Sequence, residues 1–284
     1  MEGIRLSVLG AGVMGTGVTT LALGHGVPVL LVDVDQARLD EAQARIRQQL
    51  RMAQMMGELP QGHTPGRLTT SVTLDEVAGS TAVIEAATEL ADVKAKVLAE
   101  VSGLVEPGTV LVTNTSSFPI DEMADAVAHP QDLIGTHFMN PAYLIKTVEV
   151  IRGRRTSDAT LAGVRGVLTA LGKEPVVVND APGFVTSRVL HPMINDAARV
   201  VQEGTASAEA VDALMQGCLG HRTGPLRTAD LIGIDNLVDS LWVLHERTGD
   251  EGCRPCDLLL EKARTGHHGR KSGRGFYEYG EPLS

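Results

Sequence analysis

His137 and Glu149 lie twelve positions apart in the stretch GTHFMNPAYLIKTVEV, on either side of the turn-forming pair Asn140-Pro141. An imidazole titrates near neutrality, and a carboxylate beside it holds the ring in one tautomer and stabilises its protonated form. The two suit proton transfer to or from a hydroxyl, provided the chain reverses at Asn140-Pro141 and lays its short flanking runs side by side. Spacing alone leaves a second reading open, a core histidine with a solvated strand glutamate.

A second group supplies a task for such a pair. GAGVMG places Gly10, Gly12 and Gly15, with Val13 and Met14 between the last two, directly after the apolar run IRLSVLG and at the start of a helix-like stretch. A strand, a glycine turn and a helix bring backbone N–H groups and a positive helix end against a pyrophosphate. Asp33 closes the next apolar run, eighteen positions after Gly15, where an acid accepts the ribose hydroxyls of NAD. The following residues, Val34, Asp35 and Gln36, include no arginine for a 2′-phosphate, so NAD is expected rather than NADP. Hydride transfer to NAD leaves a hydroxyl proton for a base to take. The third candidate is CRPC, Cys253 and Cys256, which fits either half of a zinc site or a redox pair. No second pair accompanies it, and two thiols at the start of a helix is the plainer reading.

These residues need a scaffold, and the first half of the chain provides one. Apolar runs at 4–10, 27–35, 82–87, 109–114, 133–138 and 147–151 alternate with helical spacings such as 13 onward, 36–56 and 92–102. Runs rich in Val, Ile and Leu imply strands covered on both faces, and their alternation with helices implies a mostly parallel, doubly wound sheet. After EPVVVNDAPGF the strands stop, and helical spacings follow at 184–203, 207–220, 230–247 and 253–265. The expected organisation is an α/β Rossmann-type domain over 1–181 and an all-α domain over 182–284, divided at Pro182-Gly183. Residues 57–67 are a loop beyond what a tight α/β unit requires.

Composition narrows the class. The chain has 284 residues and a formal net charge of −10, which argues against a general nucleic-acid binder or an anionic membrane surface as partner. It has no apolar run of spanning length and no signal-peptide pattern at its start, so a cytoplasmic setting is expected.

GAGVMG, VIEAATE, NTSS, HFMNP, KTVEVIRG, PGFV, GPL…ADLIGID and GRKSGRGFYEY occur in this order along nearly the whole chain. Together they resemble the 3-hydroxyacyl-CoA dehydrogenase family, in particular the bacterial 3-hydroxybutyryl-CoA type. The resemblance implies that His137 takes the 3-hydroxyl proton of an acyl thioester and that Glu149 orients it. Ser116 would bond the substrate oxygen near the nicotinamide, and Asn140 would fix the active-site turn. Glu89, Lys94 and Asn114 fall at positions that line the cofactor pocket, and the helical domain would carry a homodimer interface.

Three departures bear on the substrate. Ser187 stands where the family's PGFVxNR pattern has asparagine, with Asn195 further along the same helical run as a substitute. NPAY replaces NPVP and brings Tyr143 towards the site. The segment expected to grip CoA has Arg51 and Arg67 at its ends but no lysine within, and carries Met52, Met55 and Met56 as either an adaptable apolar patch or helical core. These departures lead to the expectation of a glyceryl group on an acyl carrier protein, as in polyketide extender-unit synthesis, with Tyr143 and Ser187 beside the extra hydroxyl. Docking would use Arg152, Arg154 and Arg155, or Arg270, Lys271 and Arg274. The alternatives are an ordinary 3-hydroxybutyryl-CoA dehydrogenase and, from another class, a dinucleotide-binding protein without catalysis.

Overall fold

A computed structural model of the chain describes residues 3–60, 62, 64–116 and 118–280; positions 61 and 63 of the expected loop fall outside that set. The chain divides into two compact units, Met1–Ala181 and Pro182–Ser284. In the first, β1 (Leu6–Leu9) leads to α1 (Val13–Gly24) and β2 (Val29–Val32) to α2 (Gln36–Met55). β3 (Leu68–Ser71) and β4 (Ala82–Glu85) precede α3 (Ala91–Leu104), and β5 (Val110–Asn114) precedes the single turn α4 (Ile120–Met123). β6 (Leu133–His137) runs straight to β7 (Thr147–Arg152), and α5 (Asp158–Ala170) returns the chain to β8 (Glu174–Asn179).

The strands form one sheet in the order β3-β2-β1-β4-β5-β6-β7-β8. Every pairing is parallel except β6 with β7. β1, β4, β5 and β6 are buried along their whole length, which accounts for their unbroken apolar runs. β3, LTTS, sits at the sheet edge and is only partly buried, so it lacks the apolar run by which the inner strands are read. β1 is flanked by β2 on one side and β4 on the other, and β2 and β4 follow it in opposite directions across the sheet. That change of direction opens a crevice at the C-terminal ends of β1 and β4.

The second unit is helical: α6 (Thr186–Gln202), α7 (Ala208–Leu219), α8 (Pro225–Ile232), α9 (Ile234–Thr248) and α10 (Asp257–Arg264). The single helix expected over 230–247 is two. Gly233, at φ +96°, ends α8 and starts α9, while the apolar spacing runs on because Ala229, Ile234, Leu237 and Leu241 all enter one core. Gly183 opens the unit at φ +70°, where a Cβ would lie 2.5 Å from Leu244 Cδ2.

Buried carboxylates staple this unit together. Asp212 accepts the N–H groups of Leu226 and Arg227 at the start of α8 (2.8 and 2.9 Å) and the Tyr277 hydroxyl (2.8 Å). Asp230 accepts the N–H groups of Phe276 and Tyr277 (2.9 and 3.0 Å) and the Tyr279 hydroxyl (3.0 Å). The GPL…ADLIGID and GRKSGRGFYEY motifs are thus two sides of one clamp.

Asn195 does not substitute for an asparagine at Ser187. It is fully buried, its Nδ2 donates to the carbonyls of Gly252 and Arg254 (3.0 and 2.8 Å), and its Oδ1 accepts the Cys256 N–H (2.9 Å). Both ends of the amide hold the segment before α10. Asn195→Ala removes three hydrogen bonds and takes the acceptor from the buried Cys256 N–H, while Arg199 still donates to the Gly252 and Arg254 carbonyls. It is expected to lower unfolding stability by about 1–3 kcal/mol, read by urea denaturation.

Candidate functional site

Gly12 starts α1 without a side-chain cap, and the helix's first turn contains no acidic residue. Its leading N–H groups therefore face the crevice beside the exposed Gly12 and Val13 and the half-buried Met14. Gly15 must lack a side chain, since a Cβ there would lie 1.8 Å from the Gly10 carbonyl oxygen. Gly10, at φ +100°, lies against β4, where a Cβ would lie 2.6 Å from the Ala86 carbonyl oxygen. Asp33 Oδ2 accepts the Ala11 N–H at 2.8 Å, so the acid at the end of β2 is tied to the turn it serves. An uncapped helix start, a glycine cradle and an acid at the next strand end suit NAD: the turn faces the pyrophosphate and Asp33 the adenosine ribose.

On the other side of the crevice lies a network in which only part was anticipated. Lys94 is fully buried on α3, and its Nζ donates to both oxygens of Glu85 (3.0 and 3.1 Å) and to the Asn114 carbonyl (2.8 Å). Glu89 Oε2 lies 3.2 Å from the same ammonium. Glu89 Oε1 accepts the Thr115 hydroxyl (2.5 Å) and the Ser116 N–H (2.8 Å), which holds the loop after β5. Asn114 Oδ1 accepts the Phe138 N–H (3.1 Å) and ties that loop to the end of β6. Glu85 was missed because it sits inside an apolar run, where VIEAA reads as a plain buried strand. A carboxylate at the buried end of such a run, with a lysine nine residues on, is the signal that would have found it.

His137 and Glu149 are brought together. The antiparallel β6–β7 register pairs them directly, both are buried, and His137 Nδ1 lies 3.2 Å from Glu149 Oε2. The turn between the strands reverses at the exposed Asn140 and a cis Asn140-Pro141 bond, then packs onto α1, where a Cβ on Gly17 would lie 3.5 Å from Ala142. Lys173 anchors its far end by donating to the Ile145 carbonyl at 2.8 Å, and burial lowers the Lys173 pKa to about 8.

Tyr143 is buried. It belongs to the buried hydrophobic cluster that also holds Ala142, Phe138 and residues of α1, and so helps seat the turn. Ser187 is buried on α6 of the second unit. Ser116 is half-buried.

Most charges in the expected carrier-protein patches are paired. Arg152, Arg154 and Arg155 pair with Asp158, Asp121 and Asp125 at 2.7, 2.7 and 2.8 Å. Lys271 pairs with Asp235 and Arg274 with Glu278, while Arg270 lies over the Tyr279 ring. The methionines of α2 are not core: Met52, Met55 and Met56 are exposed, and two of them line a surface depression with Gln48, Arg51 and Gln54. Cys253 and Cys256 are buried free thiols before α10, with pKa values raised by burial. Among the described residues no group of three or more His, Cys, Asp or Glu is placed to hold a metal ion.

Residues 5–181 match the NAD-binding domain of 3-hydroxyacyl-CoA dehydrogenase, and residues 183–279 match the C-terminal domain of the same enzyme. The chain belongs to the 3-hydroxyacyl-CoA dehydrogenase family. It is an NAD-dependent oxidoreductase, so the reading of a dinucleotide binder without catalysis is dropped. A Bacillus subtilis relative named as a probable 3-hydroxybutyryl-CoA dehydrogenase is 41% identical, with all of both chains covered. The 3-hydroxybutyryl-CoA dehydrogenase of Bradyrhizobium diazoefficiens is 38% identical over 97% of this chain and 95% of its own. Among solved structures, the (S)-3-hydroxybutyryl-CoA dehydrogenase of Ralstonia eutropha superposes with a TM-score of 0.90 at 36% identity, covering 98% of this chain and all of that one. Among the described residues no helix is long and apolar enough to cross a membrane.

Gly15→Ala tests the cradle. A methyl group cannot fit against Gly10, so NAD affinity measured by calorimetry is expected to fall by about tenfold or more.

Proposed function

We propose that this dehydrogenase oxidises the 3-hydroxyl of a short 3-hydroxyacyl-CoA, of the 3-hydroxybutyryl-CoA type, to the 3-oxo thioester. The observation that carries the chemistry is the buried His137–Glu149 pair at the end of β6, on the half of the sheet opposite Asp33. NAD, when bound, accepts the hydride. His137 takes the hydroxyl proton at Nε2, while Glu149 holds Nδ1 and stabilises the ring's positive charge as it forms. Ser116 would bond the substrate oxygen, its loop held by Glu89, and Asn140 would set the turn that carries the pair. Asn114, whose side chain joins the β5 and β6 ends, would help shape the nicotinamide side of the pocket.

CoA is favoured over a carrier protein as the thioester's bearer. Full-length relatives bear the CoA name, both basic clusters are already engaged, and Tyr143 is a core residue. Ser187 is read as a permitted replacement for the family asparagine. A cytoplasmic setting accords with three free cysteines. A homodimer through the helical unit accords with large apolar side chains exposed there, among them Val189, Leu214, Leu219 and Leu231. Sedimentation as a monomer would remove the dimer.

NADH formation should be seen with NAD and 3-hydroxybutyryl-CoA, and be far slower with glyceryl on an acyl carrier protein; the reverse ranking would restore the carrier-protein substrate. His137→Gln is expected to lower kcat at least about tenfold and leave NAD affinity within about twofold. An unchanged kcat would remove His137 as the base. Ser187→Asn is expected to leave the ranking of the two substrates unchanged.

A further inference from the structure

Two carboxylates share one ammonium at the C-terminal ends of β4 and β5. Glu85 meets donors on every side: the Ala87 N–H at 2.7 Å, the Thr113 hydroxyl at 2.7 Å and Lys94 at 3.0 and 3.1 Å. Glu85 and Lys94 are both buried, so their charges cancel out of reach of solvent. Glu89 is left over. Its side chain is 39% exposed, and its carboxylate is clamped by the Thr115 hydroxyl, the Ser116 N–H and the edge of the Lys94 ammonium. The group as a whole carries one more negative charge than positive.

The position of that excess charge follows from the sheet. Asp33, at the end of β2, takes the adenosine side of the crevice, and the glycine turn lies over β1 against the Ala86-Ala87 end of β4. A dinucleotide crossing the turn therefore lays its nicotinamide over β4, β5 and β6, on the side where Glu89 and Ser116 sit. The nicotinamide ring is positively charged when oxidised and neutral when reduced. A fixed anion beside it stabilises the first form and leaves the second nearly untouched.

We infer that the Glu85–Lys94–Glu89 group biases the site towards the oxidised cofactor. Glu85 acts as a positioning residue: by neutralising Lys94 it leaves the Glu89 charge uncompensated. The inference rests on the dehydrogenase reading above, but it concerns the cofactor alone and is independent of which acyl thioester is used. Lys94 and Glu89 are then not simply pocket lining, since the lysine's charge is spent on Glu85 and only the glutamate's reaches outward.

The test is binding of NAD and NADH, measured separately by calorimetry on the purified protein without acyl substrate. Glu89→Gln is expected to weaken NAD about tenfold while NADH changes by less than about twofold. Glu85→Gln returns Glu89 to a balanced pair with Lys94, and should shift the NAD-to-NADH affinity ratio in the same direction by about threefold or more. Adenosine, ribose and pyrophosphate are common to both forms, so a purely structural lesion weakens both alike. Equal losses for the two forms in Glu89→Gln, or no loss in either, would overturn the inference. If thermal unfolding shows that Glu85→Gln does not fold, Glu89→Gln decides alone. Wild-type protein that bound neither form would remove the cofactor site itself and the inference with it, a failure told apart from the others by the absence of any binding heat.

Discussion

Between β6 and β7 an otherwise parallel sheet reverses, and the register of that one antiparallel step brings His137 and Glu149 together. His137 and Glu149 stand directly opposite each other, so their side chains leave the sheet on the same face and meet at 3.2 Å. Side chains alternate faces along a strand, and a slip of one residue would send Glu149 through to the other side. The register is guarded from both ends. Ala142 and Tyr143 press the connecting turn into the core against α1, and Lys173 ties its last residues to the start of β8. The buried apolar neighbours Val148 and Val150 fill the opposite face, so a one-residue slip would put Glu149 among apolar side chains, away from His137.

Much of this was legible in the residues. Inner strands were readable because both of their faces are covered, which demands continuous apolar runs. The β3 edge was not, because a partly buried edge strand of Leu, Thr and Ser has no continuous apolar run that its composition would reveal. The His137–Glu149 dyad was half legible: Asn140-Pro141 marks a reversal between the two runs, but spacing alone left a core histidine and a solvated glutamate equally open, and the resemblance to the family decided for the pair. Glu85 was hidden for the opposite reason. A single carboxylate in an apolar strand looks like noise until the lysine that neutralises it arrives from a helix nine residues later. Tyr143 was singled out for its type, which suggests chemistry, whereas its part in seating the turn against the core shows only in the fold. The arginines at 152, 154 and 155 looked like a free basic patch because their acidic partners, Asp121, Asp125 and Asp158, are brought alongside by folding.

The helical unit obeys a different economy of contacts. Its helices are short and its core is built from Ile194, Leu226, Leu237, Leu241 and their neighbours. Three buried polar side chains, Asn195, Asp212 and Asp230, spend every bond on backbone N–H or carbonyl groups and on tyrosine hydroxyls. Such groups stabilise only when fully satisfied, which makes them exacting about the geometry around them. That explains why the motifs of this unit are long runs rather than scattered positions.

Asp33 has one further consequence, for anyone wishing to change the cofactor. Its carboxylate is already bonded to the Ala11 N–H, inside the turn that must receive the pyrophosphate. The group proposed to discriminate at the ribose is thus also a strut of the phosphate loop. Replacing it with a small residue to admit a 2′-phosphate would unlatch the loop at the same stroke. Re-engineering this enzyme for the phosphorylated cofactor is therefore a problem at two places: a cation to greet the new phosphate, and a new acceptor to take over the abandoned Ala11 amide.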